Sequence, residues 1–329
     1  MKALALFSGG LDSMIAVKLM REQDIEVVAL FIDIGFGSSN DKRTILESRA
    51  KMVGAEFELV NAREQFIQDI LFNPKYGYGK NFNPCIDCHA NMFRIAKALM
   101  PKYGANFVIS GEVLGQRPMS QRSEALKNVL KLAKDEEEGL ILRPMSAKLL
   151  EPTKPEIEGW VDREKLLGIE GRSREIQLKL AKDYDFEEFE SPGGGCLLTE
   201  SAFASKIQDV LDHDSFSIDD IDLLKAGRHL RLPDGAKLVI GRNQDDNEKL
   251  EKIEHNGYIN AKALDISGPL ALISKDATQK DRELGASLIL TYTKSNKDLE
   301  AKVLIGDEIL SVKPLASKRE AHKYFVVKV

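Results

Sequence analysis

Six residues, Ser8-Gly9-Gly10-Leu11-Asp12-Ser13, stand between a short apolar run (Lys2 to Phe7) and a helical pattern carrying Met14, Val17, Leu19 and Met20. Glycines there let the chain turn tightly, so that successive backbone N–H groups point at one anion. The helix N-terminus adds its dipole to the same spot. Ser8 and Ser13 supply hydroxyl donors, and Asp12 offers a carboxylate that, with phosphate oxygens, suits the hard charge of Mg²⁺. A Gly-x4-Gly-Lys-Ser/Thr loop is absent, and no Lys sits where it could reach β- and γ-phosphates. The chemistry predicted is therefore the holding of a pyrophosphate, or of an ATP cleaved at its α-phosphate, rather than γ-phosphoryl transfer.

The second reactive set is the cysteines, three in 329 residues. Cys85-Ile-Asp-Cys88 follows Pro84 at a predicted helix start, and Cys196 ends a Gly triplet ahead of another helix. A thiolate at a helix N-terminus has a lowered pKa and is a better ligand and nucleophile. An odd, low count argues against a secreted disulfide framework. Two readings stand side by side. Cys85 or Cys88 could pair with Cys196 as nucleophile and persulfide. Alternatively, all three could bind a [4Fe–4S] cluster. Such a cluster normally uses four thiolates, so three would leave one iron open for exogenous sulfide. Structural zinc would want a fourth ligand such as His89; otherwise His89 reads as a surface or packing residue.

These groups need elements to position them. At about 150 residues per domain the length suggests two domains. With 43% hydrophobic and 30% charged residues the chain can bury a sizeable core. Strand runs at Lys2 to Phe7, Ile25 to Ile34, Phe57 to Val60, Asn106 to Ser110 and Leu140 to Leu142 alternate with helical patterns at Asp41 to Val53 and Asn91 to Leu99. That alternation predicts an α/β fold with a doubly wound parallel sheet. Glu156 to Asp183 reads as helical and polar, with the lone Trp160 as a packing residue. A helix is expected over roughly Glu200 to Leu211. Beyond Asp214 the texture changes to short β-rich runs, at Lys237 to Ile240, Leu270 to Ser274, Ser287 to Tyr292, Lys302 to Ile305 and Tyr324 to Val329. They predict a second, smaller α+β domain. The boundaries expected are 1–200 for the first domain, 201–221 for a connector and 222–329 for the second.

The six-residue loop resembles the SGGxDS motif of the PP-loop ATP pyrophosphatases. That resemblance implies ATP split to AMP and pyrophosphate, with an adenylated substrate between. Gly111-Glu-Val-Leu-Gly-Gln116 followed by Ser120-Gln121 resembles the GESLGQxxSQ segment of the tRNA 4-thiouridine synthetases. Met92-Phe93-Arg94-Ile95-Ala96 resembles their MMxRIA helix, and Leu142-Arg143-Pro144 with Lys154-Pro155-Glu156-Ile157 their LRPL…KxEI segment. Together these span about residues 1 to 180 in the family's order. The resemblance implies that Leu6, Phe7, Phe31 and Ile32 line an adenosine pocket. It implies that Arg94 reaches phosphate, Gly111 allows close backbone approach and Gln121 completes the nucleotide site. One extra residue between Gln116 and Ser120 departs from the pattern. The pair plus one distant Cys resembles the cluster-dependent tRNA thiolation enzymes, which favours the cluster reading.

Leu238-Val-Ile-Gly-Arg-Asn-Gln-Asp-Asp-Asn-Glu-Lys-Leu250 resembles the GRNxxxN(D/E)xL signature of the NFACT RNA-binding domain. Gly268 to Ile273 and Thr291 to Lys294 loosely continue it over about residues 222 to 329. Arg242 and Asn243 would read backbone there, with basic neighbours on phosphates. Net charge is -5, with pI about 5.7, which is no footprint of a generic nucleic-acid binder. Charge is locally different: Asp222 to Arg242 holds five Lys/Arg against two acids. The RNA-binding region that precedes the loop in the synthetases has no counterpart here, and the C-terminal module is expected to replace it.

The resulting expectation is a tRNA sulfurtransferase that uses ATP, Mg²⁺ and a [4Fe–4S] cluster. A uridine carbonyl is adenylated and then sulfurated, most simply giving 4-thiouridine at position 8, with 2-thiouridine synthesis as the near alternative. Partners expected are tRNA and sulfide or a sulfur-donor protein, and a homodimer is allowed. No apolar run approaches the about 18 residues of a membrane span, and no secretory signal opens the chain, so a cytoplasmic protein is expected. The rivals are an amide-forming PP-loop ligase acting on a small molecule and an RNA-binding protein with a relic nucleotide fold.

Overall fold

A computed structural model describes residues 1–37, 43–190, 195–294 and 296–327. The chain divides into two compact units, Met1–Thr199 and Glu200–Val329.

The first unit is built on five parallel strands: β1 (Lys2–Leu6), β2 (Glu26–Asp33), β3 (Glu56–Asn61), β4 (Phe107–Ser110) and β5 (Ile141–Leu142). Their order across the sheet is β3-β2-β1-β4-β5, so the direction of winding reverses between β1 and β4. In doubly wound sheets ligands sit at that reversal, outside the carboxyl ends of the strands. The loop Ser8–Ser13 leaves β1 there, and Gly111–Gln121 leaves β4 beside it. Side chains alternate across the sheet because successive Cβ atoms point to opposite faces. Ala3, Ala5 and Phe7 join Val27 and Ala29 in one core with Met14, Ile15 and Val17 of the Leu11–Arg21 helix. Leu4, Val28 and Leu30 form the other with Phe93 and Ala96 of the Cys85–Tyr103 helix and with Val129. Burial on both faces explains the near-continuous apolar text of β1 and β2.

The stretch Glu156 to Asp183 is not one polar helix. It holds a single turn at Lys154–Ile157, a 3₁₀ turn at Arg163–Lys165 and a helix at Glu175–Asp183. Glycines at 159, 168 and 171 interrupt it, each costing helix stability. Trp160 packs on the first core, its ring centroid 6.4 Å from that of Phe107. The expected helix start at Asp41 lies outside the described residues; the helix is described over Arg43–Met52.

The second unit carries a six-stranded antiparallel sheet, β6 (Arg228–Arg231), β7 (Lys237–Ile240), β8 (Tyr258–Ala263), β9 (Ala271–Ser274), β10 (Ala301–Ile305) and β11 (Glu308–Val312), ordered β11-β10-β8-β9-β7-β6. The run Ser287 to Tyr292, expected as a strand, lies in the Gln279–Thr291 helix. A short buried apolar run fits strand or helix equally. What decides is upstream, where the Thr278 side chain caps the helix by accepting from the Asp281 N–H. Tyr324 ends a 3₁₀ turn and Phe325 makes only a bridge to Leu230; residues 328 and 329 lie outside the description. Residues 201–221, expected as a connector, are largely helical (Ser201–His213, then Asp220–Lys225) and group with the second unit. Asp209 ties them to the sheet, accepting from Arg231 at 2.8 Å and from the fully buried Lys237 at 2.5 Å.

Candidate nucleotide and thiol site

The loop after β1 is built for an anion. Gly9 has φ of +72°, a conformation that L side chains rarely adopt, and a Cβ there would stand 2.5 Å from Leu46 Cδ2. The carbonyl of Gly9 turns away from the loop's concave side to accept from Arg49 at 3.1 Å. Gly10 is the helix N-cap without any side-chain cap; the Ser13 N–H turns back to the Gly10 carbonyl at 3.0 Å, and the earlier first-turn N–H groups are the ones a ligand can take. Ser13 Oγ donates to the Gly10 carbonyl at 2.7 Å, and Ser8 Oγ accepts from the Gly10 N–H at 3.3 Å. Asp12 Oδ2 accepts from Gln116 Nε2 at 2.7 Å and lies 3.7 Å from Arg174. Asp12 Oδ1 is buried without a hydrogen-bond partner among the described residues. A buried bare carboxylate oxygen is costly, and it suits a hard cation or a ligand hydroxyl.

The loop after β4 presses directly on this turn. A Cβ on Gly111 would lie 2.5 Å from the Ser13 nitrogen and 2.6 Å from the Asp12 carbonyl carbon. The next residue, Glu112, is buried and bridges two side chains: Arg143 Nε donates to Oε2 at 2.7 Å and His89 Nδ1 lies 2.7 Å from Oε1. Burial alone would raise its pKa, but Arg143 and His89 overcome this and hold it at about 2. His89 is therefore neither a simple surface residue nor a packing one; it is an oriented imidazole one position beyond Cys88.

The Cys85–Tyr103 helix places Cys85 and Cys88 in its first turns, after the N-cap Pro84. Asp87, buried between them, accepts from the Lys75 and Tyr76 N–H groups and folds the preceding loop over the helix start. Cys196 is bridged to Gly37, just beyond β2, and Leu197 N donates to the Phe36 carbonyl at 2.9 Å. Asn81 Nδ2 donates to the Thr199 carbonyl at 2.7 Å, joining the two cysteine-bearing segments. A helix N-terminus predicts an acidic thiol. Cys88 departs from that: burial, then the sulfurs of Cys196 and Cys85, then Asp87, push it well above the ordinary thiol range. Cys196 and Cys85 thus both lie near enough to Cys88 to oppose its ionisation. Thiolates are the donors that an iron–sulfur cluster takes, three here against its usual four. Among the described residues no group of three or more His, Cys, Asp or Glu forms a ready metal cage.

The other expected site residues divide. Leu6, Phe7, Phe31 and Ile32 all stand at the carboxyl ends of the neighbouring strands β1 and β2. Phe7 and Ile32 are buried, while Phe31 and Leu6 pack against opposite cores. Gln121 is buried at the β4 loop, its backbone carbonyl accepting from the Gly115 N–H at 2.6 Å, and its Oε1 has no partner among the described residues. Arg94 is exposed on the Cys85–Tyr103 helix and makes no hydrogen bond or ion pair among the described residues. In the second unit, Asn243 caps the Gln244–Lys252 helix and Arg242 is half-exposed against Asp246. Sequence reasoning assigned no role to Glu112, Arg143, Arg174 or Gln177. The first two lay within quoted motifs; nothing in the text around Arg174 or Gln177 marks them.

Comparison with known proteins agrees with this division. Residues 2–77 match the argininosuccinate synthase N-terminal HUP domain model, and residues 227–325 match the NFACT protein RNA binding domain model. The chain is 33% identical over 131 residues to the tRNA-specific 2-thiouridylase MnmA of Petrotoga mobilis, covering 34% of this chain and 35% of that one. It is 31% identical over 116 residues to a probable tRNA sulfurtransferase of Thermococcus kodakarensis, covering 35% and 30%. A solved 4-thiouridine synthetase–RNA complex with bound ATP aligns with a TM-score of 0.37 at 19% identity, over 68% of this chain and 52% of that one. The chain spans about a third of the length of the curated relatives it matches. The first unit is an α/β HUP (PP-loop) fold and the second an α+β unit. No helix among the described residues is long and apolar enough to cross a membrane.

Two outcomes follow from the geometry. Gly111→Ala must part the β4 loop from the first helical turn, and overpacking of this kind costs about 1–3 kcal/mol. Thermal unfolding should register that loss, and ATP affinity by calorimetry should fall with it. An unchanged midpoint and affinity would mean the two loops are not in contact. The Glu112 carboxyl, depressed from 4.5 to about 2, contributes stability that is present above 4.5 and lost as pH falls toward 2. The stability gap between wild type and Glu112→Gln should therefore narrow by about 3 kcal/mol across that window, as read by denaturant unfolding at a series of pH values.

Proposed function

We propose that this protein is an ATP-dependent tRNA sulfurtransferase that makes 4-thiouridine, with position 8 as the target. The observation that carries the reading is that the Cys85–Cys88 helix start and the Cys196 segment are tied together, Asn81 Nδ2 donating to the Thr199 carbonyl at 2.7 Å, in the same compact unit as the Ser8–Ser13 loop. A nucleotide loop alone fits many adenylating enzymes; thiols beside it select a sulfur acceptor reaction. Resemblance to a 2-thiouridylase and to a probable tRNA sulfurtransferase supports tRNA as the substrate, and the RNA-binding domain match at 227–325 supplies a means of holding it.

In this reading the first-turn N–H groups, Ser8 and Ser13 cradle the phosphates of ATP, and Asp12 holds Mg²⁺ through its bare Oδ1. The uridine carbonyl oxygen attacks the α-phosphate, the N3 proton departs and pyrophosphate leaves. Hydrosulfide then adds to the activated carbon, AMP departs with the oxygen, and the sulfur-borne proton ends on N3. Cys85, Cys88 and Cys196 are the residues that would hold a [4Fe–4S] cluster, which when bound supplies an open iron for inorganic sulfide. The target base must leave its stack to enter the crevice, at a cost of a few kcal/mol. Residues 1–200 act as the catalytic domain, and the second unit holds the tRNA, with Arg242 on its backbone.

A second reading, 2-thiouridine synthesis, is favoured by the similarity to the 2-thiouridylase over 131 residues. One experiment separates the two. Transfer RNA from cells lacking the gene is digested and its nucleosides measured by mass spectrometry, with complementation by wild type, Asp12→Ala and Cys196→Ala. Loss of 4-thiouridine, restored only by wild type, is expected. Loss of 2-thiouridine instead would install the second reading, and unchanged thiolation of both would overturn the function. Iron and sulfide assayed on anaerobically prepared protein should be lost in Cys196→Ala; iron-free wild type would remove the cluster from the reading.

A further inference from the structure

Asp12 receives its hydrogen bond from a residue that is itself held in place. Gln116 is buried, and its Nε2 donates to Asp12 Oδ2 at 2.7 Å. An amide can turn its NH₂ toward Asp12 only if its carbonyl finds a donor on the opposite side. That donor is Gln177, fully buried, whose Nε2 reaches Gln116 Oε1 at 3.0 Å. Gln177 comes from the Glu175–Asp183 helix, which Arg174 precedes as N-cap, and the Arg174 guanidinium is a second group facing Asp12 Oδ2, at 3.7 Å. This helix entrance is fastened to the β4 loop by the Gly171 N–H, which donates to the Leu114 carbonyl at 2.8 Å. The chain of amides therefore has a polarity. Both N–H ends run toward Asp12, while Gln177 Oε1 ends without a partner among the described residues. The carboxylate is left with Oδ2 saturated and Oδ1 bare.

We infer that Gln177 and Gln116 are positioning residues: a directional amide relay that fixes the Asp12 carboxylate and leaves Oδ1, rather than Oδ2, to meet the Mg²⁺ of a nucleotide complex. The inference rests on the proposed use of Mg·ATP at this loop. Asp12 and Gln116 stand in quoted motifs, but Gln177 lies far along the chain from both, outside every quoted motif. Arg174 adds charge, and the amides set direction. A neutral amide pair orients the carboxylate without cancelling the charge that a cation needs.

The relay's polarity can be reversed one atom at a time. Gln177→Glu replaces the terminal donor by an acceptor. Gln116 must then give its NH₂ to the introduced carboxylate and present its carbonyl to Asp12, which repels it. Calorimetric titration with a non-hydrolysable ATP analogue and Mg²⁺ should show affinity reduced about tenfold, while affinity in EDTA changes far less. The melting temperature should also fall. Adding Asp12→Asn supplies an N–H where the reversed Gln116 now accepts, so the double variant should melt higher than Gln177→Glu alone. Gln177→Met, of similar volume and without polar atoms, should show the same Mg²⁺-dependent loss in weaker form. Strictly additive melting changes in the cycle, or Mg²⁺-dependent affinity left intact in Gln177→Glu, would overturn the relay. Wild-type protein that does not bind Mg·ATP would instead refute the nucleotide reading, and the melting cycle would still decide whether the relay exists.

Discussion

The constraint on which this site depends is the contact of one backbone with another, Gly111 against the first turn of the Leu11–Arg21 helix. A side chain at 111 would fall 2.5 Å from the Ser13 nitrogen, so only the absence of a Cβ lets the β1 and β4 loops share a crevice. Everything chemical follows from that approach. It brings Gln116 within reach of Asp12, and it sets Glu112 where one carboxylate can engage both Arg143 and His89. The strand order places the winding reversal between the same two strands, so topology provides the crevice and a missing methyl group closes its floor.

Electrostatics then divides the crevice into two regions of opposite demand. At the helix start, an N-terminus without a side-chain cap and its dipole favour negative charge. At the thiols, burial and mutual repulsion disfavour it, which is why Cys88 is hard to ionise. Glu112 lies between, on the sequence path from Gly111 and bonded to the residue next to Cys88. Its carboxylate stays ionised despite burial because Arg143 and His89 are both at 2.7 Å. An ion pair broken at such depth leaves a stranded charge and costs more than the pair contributes. The triad consequently ties the Cys85–Tyr103 helix, through His89, to the β4 loop and to Arg143.

Much of this was legible in the text of the chain. The Ser8–Ser13 loop, the strands of the parallel sheet and the separation of a β-rich second unit are local patterns: turn glycines, buried apolar runs, a change of periodicity. The failures have a common physical cause. The Leu288-Ile289-Leu290 run reads the same in a strand or a buried helix, and only its cap at Thr278 tells them apart. Cys88 sits at a helix start, as the spacing implies. Its ionisation, however, is governed by sulfurs that arrive from elsewhere in the chain. Arg174 and Gln177 carry no pattern at all, because their role depends on tertiary distance.

Backbone geometry and side-chain orientation leave different marks on a chain. A motif marks residues whose backbone geometry is demanding, because glycine, proline and capping residues are scarce alternatives to one another. Orientation of a charged group is demanding in a different way. It needs a donor at the correct end of an amide, and many residue types in many positions can supply one. The glycine-rich loop is accordingly visible in six consecutive letters, whereas the saturation of one Asp12 oxygen and the bareness of the other depend on Gln116 and Gln177, 61 positions apart. The first property decides which class of ligand can bind; the second decides which atom of Asp12 meets it.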